Sequence, residues 1–197
     1  MFSRIAAFLC ITLLATGCYL PVDFETDINI DNSGKYAFRY KGDMIAVTLL
    51  SKISKGKVEG EKEIKKQAAI YKRDLERESG FKKVEHKKFA RYEVFYEHQG
   101  NIHEQKSFDF VRSNARFLAI NRRSDGLIEI IGDRPPKKYV EALIERGVDA
   151  RGVVRVWTNN KVMSHNAHEV REGSPALYQS NVRSMREPTP SIIMQLQ

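Results

Sequence analysis

The spacing of hydrophobic and polar positions changes along the chain, and each change marks an element. From Asp23 to Ile30 the residues alternate, with Phe24, Thr26, Ile28 and Ile30 on one side and Asp23, Glu25, Asp27 and Asn29 on the other. A period of two predicts a strand with one buried face. Asp31-Asn32-Ser33-Gly34 is a turn in which glycine supplies positive φ. Lys35 to Lys41 alternates again, with Tyr36, Phe38 and Tyr40 on one face, and the two runs predict a hairpin. Gly42-Asp43 predicts a bulge or bend before the apolar run Met44 to Leu50.

After the polar break Gly56 to Gly60 the period lengthens. Ile64, Ala68, Tyr71 and Leu75 share one face of a helix over Glu61 to Glu78, closed by Gly80. Strands follow at Phe81 to Phe89 and Tyr92 to His98, then a turn at Gln99-Gly100-Asn101. Further strands are predicted at Ser107 to Val111, Phe117 to Asn121 and Leu127 to Ile131, with Ser113-Asn114 and Ser124-Asp125-Gly126 as breaks. Asp133-Arg134-Pro135-Pro136 opens a short helix with the stripe Tyr139, Val140, Leu143 and Ile144, which Gly147 ends. Val153 to Trp157 is a strand, Asn159 to Gly173 a loop, and Ala176 to Val182 and Ile192 to Leu196 are closing strands. This order predicts an α+β fold: a curved, largely antiparallel sheet with one long and one short helix.

The first residues change the picture. MFSRIAAFLCITLLATGC has one charge, Arg4, then an apolar run from Ile5 to Ala15 that suits a signal peptide rather than a bilayer span. Leu14-Ala15-Thr16-Gly17-Cys18 resembles the lipobox at which lipoprotein signal peptidase cuts. The expected organisation is a signal peptide over 1–17, a lipidated tether over 18–22 and a single domain over 23–197. Cys18 is the expected lipidation site, carrying diacylglycerol on its sulfur and an acyl group such as palmitate on its freed amine. Each buried CH2 contributes about 0.8 kcal/mol, so two or more chains hold a domain at a membrane. The two cysteines are Cys10, which leaves with the leader, and Cys18. The body therefore has no disulfide, no cysteine-ligated metal and no thiol nucleophile.

Against 33 Lys and Arg stand 25 Asp and Glu, a formal net charge of +8. At a tethered domain this excess suits a solvated basic surface or anionic headgroups. Lys65, Lys66, Lys72 and Arg73 on the long helix are candidates for such contact, with intrahelical Glu–Lys pairs as the alternative. Nucleic acid is not an expected partner, because no stacking-aromatic motif accompanies the charge.

Catalytic motifs are sparse. There is no phosphate-binding glycine loop and no Gly-x-Ser-x-Gly elbow. His165, His168 and Glu169 lie in a stretch without helical periodicity and read as turn residues, so no metal or other cofactor is expected. Phe38, Tyr40, Tyr92, Tyr96, Phe108, Phe110 and Phe117 all fall on predicted strands. They read either as packed core or as the lining of an apolar ligand cavity.

Val154-Arg155-Val156-Trp157-Thr158-Asn159-Asn160-Lys161-Val162-Met163-Ser164-His165-Asn166-Ala167, followed by Gly173 and Ala176-Leu177-Tyr178, resembles the closing motif of the LppM-type lipoprotein domain. The lipobox cysteine, the alternating strand and the Asp-Asn-Ser-Gly-Lys-Tyr turn also fit that pattern. The resemblance implies a START-like lipid-binding fold, a lipid or glycolipid partner and no enzymatic activity. It makes Ser164, His165 and Asn166 a shared turn, whose role reads as structural through local side-chain hydrogen bonds. Members often continue into a C-terminal membrane helix, which this chain does not show. The expected function is a membrane-anchored lipoprotein whose domain binds an amphiphile without catalysis. The alternative is an assembly lipoprotein that binds another cell-envelope protein. Tyr19 after the cysteine is similar to lipoproteins sorted to the outer membrane, facing the periplasm, if the cell is Gram-negative.

Overall fold

The computed structural model describes residues 19–111 and 116–196. The leader, Cys18 and the Ser113-Asn114 break lie outside the described residues. In chain order the elements are β1 (Tyr19–Ile30), β2 (Lys35–Ala46), α1 (Val47–Ser54), α2 (Glu61–Glu76), β3 (Phe81–Lys88) and β4 (Arg91–Asn101). Then come β5 (Ser107–Phe110), β6 (Leu118–Arg122), β7 (Ile128–Gly132), α3 (Lys137–Ile144) and β8 (Gly152–Thr158). The chain closes with β9 (Lys161–His165), β10 (Glu169–Arg171), β11 (Ala176–Val182) and β12 (Ser191–Gln195).

The fold is α+β, with two sheets where one was expected. The first has seven strands in the order β10-β11-β8-β1-β2-β4-β3, and the second has five in the order β5-β6-β7-β12-β9. All pairs are antiparallel except β1 with β8, which run parallel from Phe24↔Gly152 to Ile30↔Thr158. Alternation dictates the layering. Phe24, Ile28, Ile30, Tyr36, Phe38, Tyr40, Tyr92, Val94 and Tyr96 point to one buried face of the larger sheet. Charges cover the other face, where Arg39 meets Glu97 at 3.2 Å and Arg155 bridges Glu25 and Asp27 at 2.6 and 2.9 Å.

The second sheet covers part of the buried face: Phe38 lies 5.0 Å from Phe108 and 4.8 Å from Phe110, ring to ring. Helix α2 covers another part. Ala68, Tyr71 and Leu75 are buried, as the periodicity predicts. Tyr92 donates its hydroxyl to the Ala68 carbonyl at 3.0 Å and Tyr19 donates to that of Tyr71 at 3.0 Å, which fastens the helix to the sheet.

The apolar run Met44 to Leu50 becomes helical at Val47. The Ala46 amide still donates to Ala90, 2.9 Å away, but β4 begins at Arg91, and among the described residues no neighbouring strand extends beyond. Backbone groups past that point need local partners, and a helix supplies them while burying Leu49. The helix count is therefore three among the described residues. Asn159 to Gly173, expected as loop, holds the edge strands β9 and β10. Tyr19–Val22, expected as tether, form the opening of β1 and are buried.

Candidate functional site

The sheet end at which β1 begins is built around an irregularity. A bulge falls between Val22 and Phe24, and Asp23 takes φ 48°. Gly42 lies opposite, where a Cβ would stand 2.6 Å from the Phe24 Cα, so the strands approach closely only because this residue has no side chain. Arg91 reaches across to Asp23 and Asp43, at 2.5 Å each, and locks β4 to both strands.

Beside this end lies a half-open cleft of about 720 Å³. One wall is Tyr19, Leu20 and Pro21; a second is Val47 and Leu50 of α1; a third is Tyr139, Ala142 and Leu143 of α3. Pro135, Pro136, Met185, Pro188 and Pro190 close it from the connecting segments. Those segments are held in place: Arg186 pairs with Glu141 at 2.5 Å, the Met185 amide donates to Asp149 at 2.7 Å, and Gly132 lets Thr189 pack against it. Lys55, Arg116, Arg134 and Arg146 contribute the basic part of the lining. Arg116 is engaged by Asp133 at 3.0 Å and Asp109 at 3.6 Å, which pushes its pKa up, the hydrogen bond it donates to Asp133 first among the causes. The volume and lining fall in the range of small-ligand pockets, which run from roughly 300 to 1,000 Å³ and are mostly apolar.

The aromatic set splits on the structure. Phe38, Tyr40, Tyr92, Tyr96, Phe108 and Phe110 are buried core. Phe110 sits 4.8 Å from Tyr40 and 4.9 Å from Tyr96, so these rings fill the space between them. Tyr40 and Tyr96 spend their hydroxyls on the Asp43 carbonyl and on Glu78, at 2.9 and 2.8 Å. Burial drives the pKa of Tyr40, Tyr92 and Tyr96 well above the ordinary phenol value. Phe117 alone of the seven lines the cleft, edge-on to Phe24 at 5.0 Å. The other cleft residues carry no shared motif. They converge from five separate segments, and nothing in their spacing announces it.

Ser164 and His165 end β9 and pair with Ile193 and Ile192 of β12. Asn166 follows, and its side chain donates to the Thr189 carbonyl and accepts from the Ser191 amide, both at 2.8 Å. These bonds reach 23 and 25 residues along the chain rather than staying local. The His165 ring packs against Tyr178 at 5.1 Å and accepts from the Ala167 amide at 3.2 Å. Lys65, Lys66 and Lys72 pair within α2 with Glu61, Glu63 and Glu76 at 2.7, 3.8 and 3.5 Å, and Arg73 donates to the Ala69 carbonyl. Among the described residues no three His, Cys, Asp or Glu side chains converge as a metal site, and no helix is long and apolar enough to cross a membrane.

Fold and site together describe a two-sheet α+β domain with an apolar cleft at the end where its first strand begins. No family model matches the sequence, and no curated protein matches it. Among solved structures the chain is similar to the folded domain of the LppM protein of Mycobacterium tuberculosis, determined by NMR. The two share 11% identity over 90% of this chain and 93% of that one, with a TM-score of 0.47.

Proposed function

We propose that this chain is a lipid-anchored envelope protein whose domain binds a lipid or another amphiphile in the cleft, without catalysing a reaction on it. One observation carries the reading: a cleft of about 720 Å³ has as one wall the three residues that follow Cys18. Consecutive Cα atoms are about 3.8 Å apart, so a lipid on Cys18 sits beside that wall. Apolar groups from α1, α3 and the proline-rich segments suit an acyl chain, and the basic groups suit a polar head. Residue Tyr19 after the cysteine suits an outer-membrane address in a Gram-negative cell.

Native mass spectrometry of the protein incubated with extracted membrane lipids tests this. The parent retains lipid. Ala142→Trp fills the cleft from α3 and weakens retention at least about tenfold, the equivalent of ~1.4 kcal/mol, with an unchanged melting curve. A parent that emerges lipid-free overturns the reading. The assembly role rests on a different observation, the edge strands β9 and β10 with Met163 and Val170 exposed on them. One stoichiometric envelope protein crosslinked at Met163, in the absence of lipid, would favour it.

A further inference from the structure

The turn between β3 and β4 presents an exposed aromatic on a backbone that aromatic residues avoid. Phe89 has φ 51° and is 56% exposed. Positive φ is an outlier for a bulky side chain and falls to glycine or asparagine where only a tight turn is needed. The turn is not loose: the His86 ring nitrogen lies 2.9 Å from the Phe89 carbonyl, and Arg91 is held by Asp23 and Asp43. A fixed turn thus displays an apolar ring to solvent.

Register places this ring. Tyr19 is opposite Ala46, and Ile45 is opposite Arg91. The Ala46 amide donates to the carbonyl of Ala90, the neighbour of Phe89, at 2.9 Å. Residue 19 and the turn therefore share one end of the seven-stranded sheet, two strand spacings or roughly 10 Å apart. Cys18 is one peptide bond from Tyr19. Along the strand leading to the turn, Lys87 is engaged by Glu93 at 2.5 Å and Glu85 at 3.7 Å, and Lys83 pairs with the same two carboxylates. Lys88 is exposed and has no carboxylate partner among the described residues.

We propose that the Phe89 turn is a second membrane contact: the ring enters the headgroup layer of an anionic bilayer and Lys88 meets a lipid phosphate. The proposal rests on the lipid anchor at Cys18. One ring and one lysine bind a bilayer weakly alone, but the anchor supplies a high effective concentration, and a weak second contact then fixes orientation. The β1 end of the sheet, with the Tyr19–Pro21 wall of the cleft, faces the membrane.

The test uses the lipidated protein in vesicles of phosphatidylcholine and phosphatidylglycerol. An environment-sensitive fluorophore is placed at Phe89→Cys or, in the turn at the far end of the sheet, at Ser33→Cys. Circular dichroism checks that both variants fold. A nitroxide high on the lipid acyl chain quenches the first label at least about threefold more than the second, as an interfacial ring requires. Equal or absent quenching on protein that floats with the vesicles overturns this contact and leaves the anchor standing. Protein that does not float overturns both.

Discussion

His98 shows how one side chain couples packing to pH. Its ring stacks on Phe108 at 4.7 Å and 5° and lies 5.9 Å from Tyr36. Burial lowers its pKa below the ordinary 6.5, against a smaller opposing pull from Glu78. A base whose folded pKa is depressed binds its proton less well folded than unfolded. Its stability contribution is complete above pH 6.5 and is lost as pH falls through the folded value. The ring should titrate below 6.5 by NMR. Part of the stability lost between pH 7 and pH 5 should be missing in His98→Gln, read from denaturant midpoints. The sequence placed this histidine beside a turn at Gln99-Gly100-Asn101. Instead β4 runs on through Asn101, and Asn101 itself caps the turn by accepting from the His103 amide at 2.9 Å. Side chains that act through a distant ring, as His98 does through Phe108, leave no trace in local spacing.

Elements with one wet face were legible, and those decided by a neighbour were not. The hairpin of β1 and β2 and helix α2 follow directly from periods of two and 3.6. Met44 to Leu50 is a short apolar run that suits strand or helix equally, and the end of β4 decides between them. Strands β9 and β10 are short and largely exposed, so no buried face marks them; β12 and β11 recruit them by pairing. The helix α2 gives a prediction at this scale. Tyr92→Phe removes the bond to the Ala68 carbonyl while keeping the ring in the core. It should cost about 1 kcal/mol in chemical denaturation, the usual net worth of one internal hydrogen bond. Amide exchange should quicken in α2 more than in β4.

At the scale of the molecule, the fold class could be read from the chain, whereas the cleft could not. An alternating strand is contiguous in the chain, so its pattern shows in the sequence. The cleft needs Tyr19, Leu50, Tyr139 and Met185 to meet, which only the closed fold brings about. If Cys18 carries the anchor, Cys18→Ser should move the protein from the membrane fraction to the soluble fraction, measured by fractionation with radioactive fatty-acid labelling. Labelling as heavy as the parent's would refute the anchor.

The parallel pairing of β1 with β8 has a consequence for the order in which the chain folds. A polypeptide made from its amino end presents Tyr19–Ile30 more than a hundred residues before Gly152–Thr158 exists to pair with it. Until then one long side of the innermost strand is bare, with every donor and acceptor free to pair with a stranger. Local hairpins can form early, but the central ladder closes late, and contacts this far apart in sequence are slow to find. Ribosomal stalling or proteolysis anywhere ahead of Gly152 would thus release a fragment primed to aggregate.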